Sequence, residues 1–222
     1  MPRVNINGDD IYYAIRGTSS PAIVFVHGAG GDHLVWNGQL AAVADMATGY
    51  GIDLPGHGRS TGAGRDSIER YCDVVVAFLD AVQVKSAIIV GHSMGGGIAL
   101  KMALTHPQRV MGLGLVGTGG RLRVLPQILN GVLLDFQATA KMLNLNSFSD
   151  TADPSLVSAG EQNVLANSPA VLKEDFVACD RFDVMDRLSE IRIPTLVICG
   201  KQDNMTPLKY SEFLVSKIPE AR

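Results

Sequence analysis

Cysteine, clustered basic charge, long apolar runs and late histidines are all scarce in this sequence, and each scarcity excludes something. Three cysteines, Cys72, Cys179 and Cys199, occur in 222 residues. They are far apart, odd in number and form no C-x-x-C, so they read as free thiols, with Cys72 and Cys199 buried in apolar runs. Lys and Arg number 19 against 22 Asp and Glu, a net charge of −3. They are scattered, without the basic footprint that nucleic acid selects or the polybasic block that docks to an anionic membrane. The N-terminus, Met1-Pro2-Arg3-Val4-Asn5, has no apolar h-region, and nowhere do eighteen apolar residues run together. A soluble, cytoplasmic protein is expected, with no nucleic-acid or membrane partner. No group of His, Cys and Asp has ligand spacing, so no metal and no cofactor is expected.

What remains is apolar and regular. Hydrophobic residues make up 46% and charged residues 18%, enough to bury a sizeable core. Residues 4–7 and 11–15 flank Gly8-Asp9-Asp10 as a hairpin. The continuous apolar run at 22–26 reads as a strand buried on both faces, and the runs at 88–90, 110–116 and 193–199 read as further strands, with a weaker one at 46–52. A short helix fits 36–43, and an amphipathic helix fits 67–82, where Ile68, Tyr71, Cys72, Val75, Val76, Leu79 and Val82 recur at 3–4 spacing. Strands and helices alternate, which predicts an α/β fold with a mostly parallel, doubly wound sheet.

The alternation stops at about residue 119. Until about 186 only helical patterns occur, at 124–136, 154–167 and 169–179, before a strand and a last helix at 207–217. A structureless loop of that length is improbable. The chain is therefore divided into an α/β core at 1–118, an inserted helical cap at 119–186 and the core's second part at 187–222.

The chemistry centres on Gly91-His92-Ser93-Met94-Gly95. This is G-x-S-x-G between an apolar strand and a helix, the turn that holds a serine on a strained elbow with its hydroxyl exposed. The flanking glycines leave room for the tight turn. A serine nucleophile needs a base, and its oxyanion needs preorganised donors. One donor is the N–H of the residue after the serine, Met94. The other comes from the loop after the 22–26 strand, His27-Gly28-Ala29-Gly30-Gly31, where Ala29 is expected to supply it. The acid member should follow a later strand, and Asp203 in Gly200-Lys201-Gln202-Asp203 does so. The base is the difficulty. The histidines are His27, His33, His57, His92 and His106, and none follows Asp203, where triad order demands one. His92 is expected to point away from Ser93. In the cap, Leu125, Ile128, Leu129, Leu133 and Phe136 either line an acyl pocket or pack as ordinary core.

Gly112-Leu113-Gly114-Leu115-Val116-Gly117 also matches G-x-G-x-x-G, but a helix precedes it and its glycines lie inside the apolar run. Dinucleotide binding is rejected on that context.

Taken together, His27-Gly28-Ala29, Asp53-Leu54-Pro55-Gly56-His57-Gly58-Arg59-Ser60, the elbow and Gly200-Lys201-Gln202-Asp203 resemble the α/β-hydrolase family, in its capped esterase, C–C-bond hydrolase and perhydrolase-like branch. The resemblance implies Ser93 as nucleophile, Asp203 as triad acid, Ala29 and Met94 as oxyanion donors, and a structural role for the Asp53 loop. Serine at the elbow argues against dehalogenase and epoxide hydrolase chemistry. Family members continue with another strand, a loop carrying the catalytic histidine and a last helix. This sequence stops at Arg222, so a shortened form of a longer protein is expected, with self-association through an uncovered sheet edge. The implied activity is hydrolysis of small to medium carboxylic esters or related apolar small molecules. A C–C-bond hydrolase, a perhydrolase and a non-catalytic small-ligand binder on the same scaffold are the alternatives.

Overall fold

A computed structural model describes residues 2–222. Seven strands form one sheet: β1 (Arg3–Ile6), β2 (Asp9–Arg16), β3 (Ala22–Val26), β4 (Thr48–Ile52), β5 (Ala87–His92), β6 (Val110–Val116) and β7 (Thr195–Ile198), in the order β1-β2-β4-β3-β5-β6-β7. β1 and β2 form the expected hairpin, closed by Asn7 and Gly8, both at positive φ. β2 pairs antiparallel with β4, and β4, β3, β5, β6 and β7 run parallel.

Alternation along β3 shows why its apolar run is unbroken. Val24 and Val26 join the main core with α2 (Ile68–Ala81) and α3 (Met94–Thr105), whereas Phe25 packs on Trp36 and on Leu40 of α1 (Asn37–Val43). Successive side chains of a strand point to opposite faces, so helices cover both. α2 starts where Ser67 Oγ accepts the Arg70 N–H at 3.4 Å, and its Phe78 makes an edge contact with Tyr13 at 5.2 Å between ring centroids.

Between β6 and β7 lie α4 (Pro126–Leu134), α5 (Phe136–Ser147), α6 (Pro154–Leu165) and α7 (Pro169–Arg181). Ile128, Val132, Leu143, Leu172 and Phe176 give this insertion a hydrophobic cluster of its own. The helix expected at 124–136 is α4, two residues shorter at each end, and α5 was not foreseen. Asp135, at φ −147° and ψ 85°, ends α4, and its side chain accepts the Ala138 N–H to cap α5.

After β7, α8 (Leu208–Lys217) leads the chain back to the sheet. Thr195 N–H donates to Glu220 O at 3.1 Å, Val197 N–H to Arg222 O at 2.9 Å, and Ala221 bridges Thr195 in parallel. Residues 220–222 thus pair along β7, where the sequence reading placed no strand. Among the described residues no helix is long and apolar enough to cross a membrane.

Candidate active site

Four loops leave the carboxyl ends of parallel strands at the same edge, the place where open α/β sheets hold ligands. Residues 28–31 follow β3, Ser93 follows β5, Gly117 follows β6 and residues 200–203 follow β7; all line one cavity of about 850 Å³.

Ser93 has φ +51° and ψ −115°, a backbone state that costs a side-chain-bearing residue about 1–3 kcal/mol and persists only where its surroundings enforce it. They do. Its N–H donates to Val116 O at 3.0 Å, and its carbonyl accepts from Gly96 N–H at 2.9 Å and from the buried Thr118 hydroxyl at 2.8 Å. The elbow glycines are steric necessities. A Cβ on Gly91 would lie 2.1 Å from Gly95 O, and one on Gly95 2.3 Å from Val26 O.

Met94 opens α3, so its N–H has no intrahelical acceptor one turn back; the residue is fully buried and adjoins Ser93 without itself lining the cavity. The loop after β3 is pinned peptide by peptide. The Gly28 carbonyl accepts from Gly31 N–H at 3.0 Å and from His27 Nδ1 at 2.7 Å. A trans peptide points its N–H opposite to its carbonyl, so these bonds turn the Ala29 N–H the other way. His27 is fully buried, and its Nε2 accepts the Leu54 N–H at 3.0 Å, which leaves the proton on Nδ1. Burial, then the neighbouring His57, hold its pKa well below the ordinary value. His27 is a neutral strut.

Asp203 is seated by its own turn: Oδ1 accepts the N–H groups of Met205 at 3.0 Å and Thr206 at 2.7 Å, and Oδ2 accepts the Thr206 hydroxyl at 2.9 Å. It shares the cavity wall with Ser93 and Ala29. His92, expected to point away, also lines that cavity beside Ser93. Protein surrounds it although solvent reaches it, and the desolvation lowers its pKa despite the Asp203 charge. The other histidines are engaged elsewhere, His33 with Asp53 at 2.8 Å, His57 with Asp175 at 2.7 Å and His106 with Thr105 at 2.9 Å. Among the described residues no histidine hydrogen-bonds to Asp203.

Asp32, His33 and Asp53 bring ligand-type atoms within 4.8 Å of one another. Asp53 is already saturated: Oδ1 accepts from His33 N–H and Nδ1, and Oδ2 from Arg59 N–H at 2.8 Å. The Asp53 carboxylate thus locks the loop that the sequence reading took as structural.

The cavity wall contributed by the insertion differs from expectation. Leu125 and Leu133 are 61% and 60% exposed, Ile128 is buried in the insertion's cluster, and Leu129 and Phe136 pack against it. None of the five lines the cavity. Leu143, Phe148, Val164, Leu172 and Phe176 do. A helical stripe shows that one face is buried but not what it faces, and nothing in the sequence marked Phe148. Asp175 was also missed, although a lone carboxylate on the apolar α7 face of Leu172, Phe176 and Cys179 was a readable sign.

Comparison with known proteins agrees with this layout. The family model described as alpha/beta hydrolase fold matches residues 21–151. A 2-hydroxy-6-oxononadienedioate/2-hydroxy-6-oxononatrienedioate hydrolase of Burkholderia vietnamiensis is 32% identical over 237 residues, covering 95% of this chain and 81% of that protein. A dihydrolipoyllysine-residue acetyltransferase component of the acetoin cleaving system from Cupriavidus necator is 38% identical over 118 residues, 52% of this chain, and this chain spans 31% of its length. The crystal structure of the enol-lactonase from Burkholderia xenovorans LB400 superposes with a TM-score of 0.93 at 25% identity, covering 100% of this chain and 89% of that one. With a mostly parallel sheet, a strained serine after its fifth strand and relatives matched along nearly its whole length, the chain belongs to the α/β-hydrolase family.

Proposed function

We propose that this hydrolase cleaves uncharged carboxylic esters of small to medium acyl groups through an acyl-enzyme on Ser93. The observation that carries the reading is the strained Ser93 elbow opening on a cavity that also holds Ala29 and Asp203. In this reading Ser93 Oγ attacks the ester carbonyl, and the Ala29 and Met94 N–H groups bind the oxyanion. A general base, which triad order would place as an imidazole on Asp203 but which no histidine of the described residues supplies there, takes the serine proton and returns it to the leaving alcohol, and water then releases the acid. Residues 119–186 act as the cap, with Leu143, Leu172 and Phe176 forming the acyl wall.

C–C-bond hydrolysis is the second reading, favoured by the identity with the Burkholderia vietnamiensis enzyme. The charge of the cavity weighs against a dianionic substrate. Among the described residues that line it, Lys201 is the one formal cation and Asp203 the one formal anion. An uncharged ester leaves no buried charge uncompensated.

The test compares wild type with Ser93→Ala on neutral p-nitrophenyl esters and on esters bearing a carboxylate. Added imidazole in both supplies a base whatever residue serves naturally. A Ser93-dependent rate at least about tenfold above that of the variant is expected, and it should be higher on neutral esters. Equal rates in the two proteins would overturn the serine reading, and a preference for anionic substrates would favour the C–C reading. Saturable ligand binding without turnover would leave the scaffold a binder.

A further inference from the structure

The oxyanion loop is held from outside the sheet. Gly30, the residue after Ala29, donates its N–H to Asp175 Oδ2 at 2.9 Å and accepts at its carbonyl from Asn167 Nδ2 at 2.7 Å. Both partners come from the helical insertion, Asp175 from α7 and Asn167 from the turn before it. Gly30 has φ +64°, and a Cβ there would meet Leu172 Cδ1 at 2.9 Å, so α7 packs directly on bare backbone.

Asp175 is fully buried. Besides Gly30 it accepts a short hydrogen bond from the Tyr71 hydroxyl of α2 and one from His57 Nε2 at 2.7 Å. The second His57 nitrogen faces Pro55 O at 3.0 Å. Three donors from three separate elements converge on one carboxylate. Burying a charge is costly, and an apolar side chain of similar size commonly serves packing as well or better. Packing alone therefore does not account for an aspartate here, whereas orienting the Gly30 N–H does.

We propose that Asp175 is a positioning residue that makes the oxyanion loop depend on the seating of α7. The Gly28 carbonyl is fixed by His27 and Gly31, which turns the Ala29 N–H. Asp175 then fixes the next peptide plane, and Asn167 the one after. With all three planes held, Ala29 cannot rotate about its Cα without breaking a bond to the insertion. The proposal rests on reading Ala29 as an oxyanion donor, and it ties the insertion to transition-state binding as well as to the cavity wall.

The test uses ¹⁵N-labelled full chain in wild-type, Asp175→Asn and Asn167→Ala forms. Asn keeps the shape of Asp175 but presents an NH₂ donor to a site ringed by donors. Asn167→Ala removes the contact to the Gly30 carbonyl, together with those to Asn163 O and Val164 O at the end of α6, and serves if Asp175→Asn fails to fold. In both variants the Ala29 and Gly30 amide resonances should move, and their hydrogen exchange should rise at least about tenfold. Affinity for phenylboronic acid, which adds to a serine as a tetrahedral anion, should fall by about tenfold or more. Phe78→Leu in α2, which loosens the core against Tyr13 and Tyr50 without touching Asp175 or Asn167, should leave that affinity unchanged.

Unchanged exchange at Ala29 and Gly30 in both variants would overturn the proposal. So would altered exchange with unchanged boronate affinity, or an equal loss of affinity in Phe78→Leu. If wild type and Ser93→Ala bind phenylboronic acid alike, the serine reading falls instead, and the amide exchange still decides whether Asp175 holds the loop.

Discussion

At the elbow, single atoms decide. A methyl on Gly95 would press on the carbonyls of Val26 and His27, at 2.3 and 2.7 Å, and backbone atoms inside a sheet cannot swing aside. Gly95→Ala is therefore expected to destabilise by about 2 kcal/mol or more, an overpacking cost compounded by backbone strain, and to abolish the Ser93-dependent rate. Gly8 in the first hairpin offers the comparison. Its Cβ position is empty, and only its φ of +97° resists a side chain, so Gly8→Ala should cost about 1 kcal/mol and leave the rate intact. Urea unfolding and an ester assay on the two variants check both expectations. The elbow glycines were legible in the sequence because G-x-S-x-G encodes a steric demand. Thr118, whose hydroxyl holds the Ser93 carbonyl, was not, because nothing in a lone threonine after a strand announces its partner.

Among the elements, legibility follows how many neighbours a pattern implies. β3 read clearly from the sequence, because its unbroken apolar run fits a strand buried on both faces, whereas β7, predicted from a similar run, leaves Leu196 and Ile198 46% and 48% exposed. The insertion was legible as helices but not as walls. Leu125 and Leu133 fitted an apolar stripe and proved exposed, whereas Leu143, Leu172 and Phe176 belong both to the insertion's cluster and to the cavity. This double membership predicts a coupled phenotype. Phe176→Ala should lower stability by about 3–5 kcal/mol and, by widening the cavity, shift the preference in kcat/KM from acetyl toward octanoyl esters. Leu133→Ser, on the solvent side of α4, should leave stability within about 0.5 kcal/mol of wild type and the acyl preference unchanged. Melting curves with a p-nitrophenyl ester series separate the two. A preference altered by Leu133→Ser would restore the outward face as part of the pocket.

On the scale of the whole molecule, two buried histidines with rings 4.8 Å apart set opposite limits on pH. Burial, reinforced by His57 and only partly offset by the Gly28 carbonyl, holds the His27 pKa well below its ordinary 6.5. In the unfolded chain His27 takes up a proton near that value while the folded protein refuses it. Stability contributed by His27 is thus lost as pH falls below about 6.5. For His57, burial lowers the pKa, but the charge and hydrogen bond of Asp175, with the Pro55 carbonyl, outweigh it and raise the value above 6.5. Here the folded state holds the proton more tightly. That stability is fully present below about 6.5 and is lost as pH rises through the folded-state value. Stability should therefore peak near neutral pH and decline on both sides. His57→Gln should flatten the alkaline decline and, by removing the charge that helps hold the His27 pKa down, also make the acid one shallower, whereas His27→Asn should flatten the acid decline and leave the alkaline one, each at a lower overall stability because a buried partner is left unpaired. Urea unfolding from about pH 5 to pH 9 gives the two slopes directly. The alkaline decline also bears on function, because deprotonating His57 weakens its hold on Asp175, the carboxylate that holds Gly30. A wild-type alkaline slope that survives in His57→Gln would assign it to another group and free the oxyanion loop from His57.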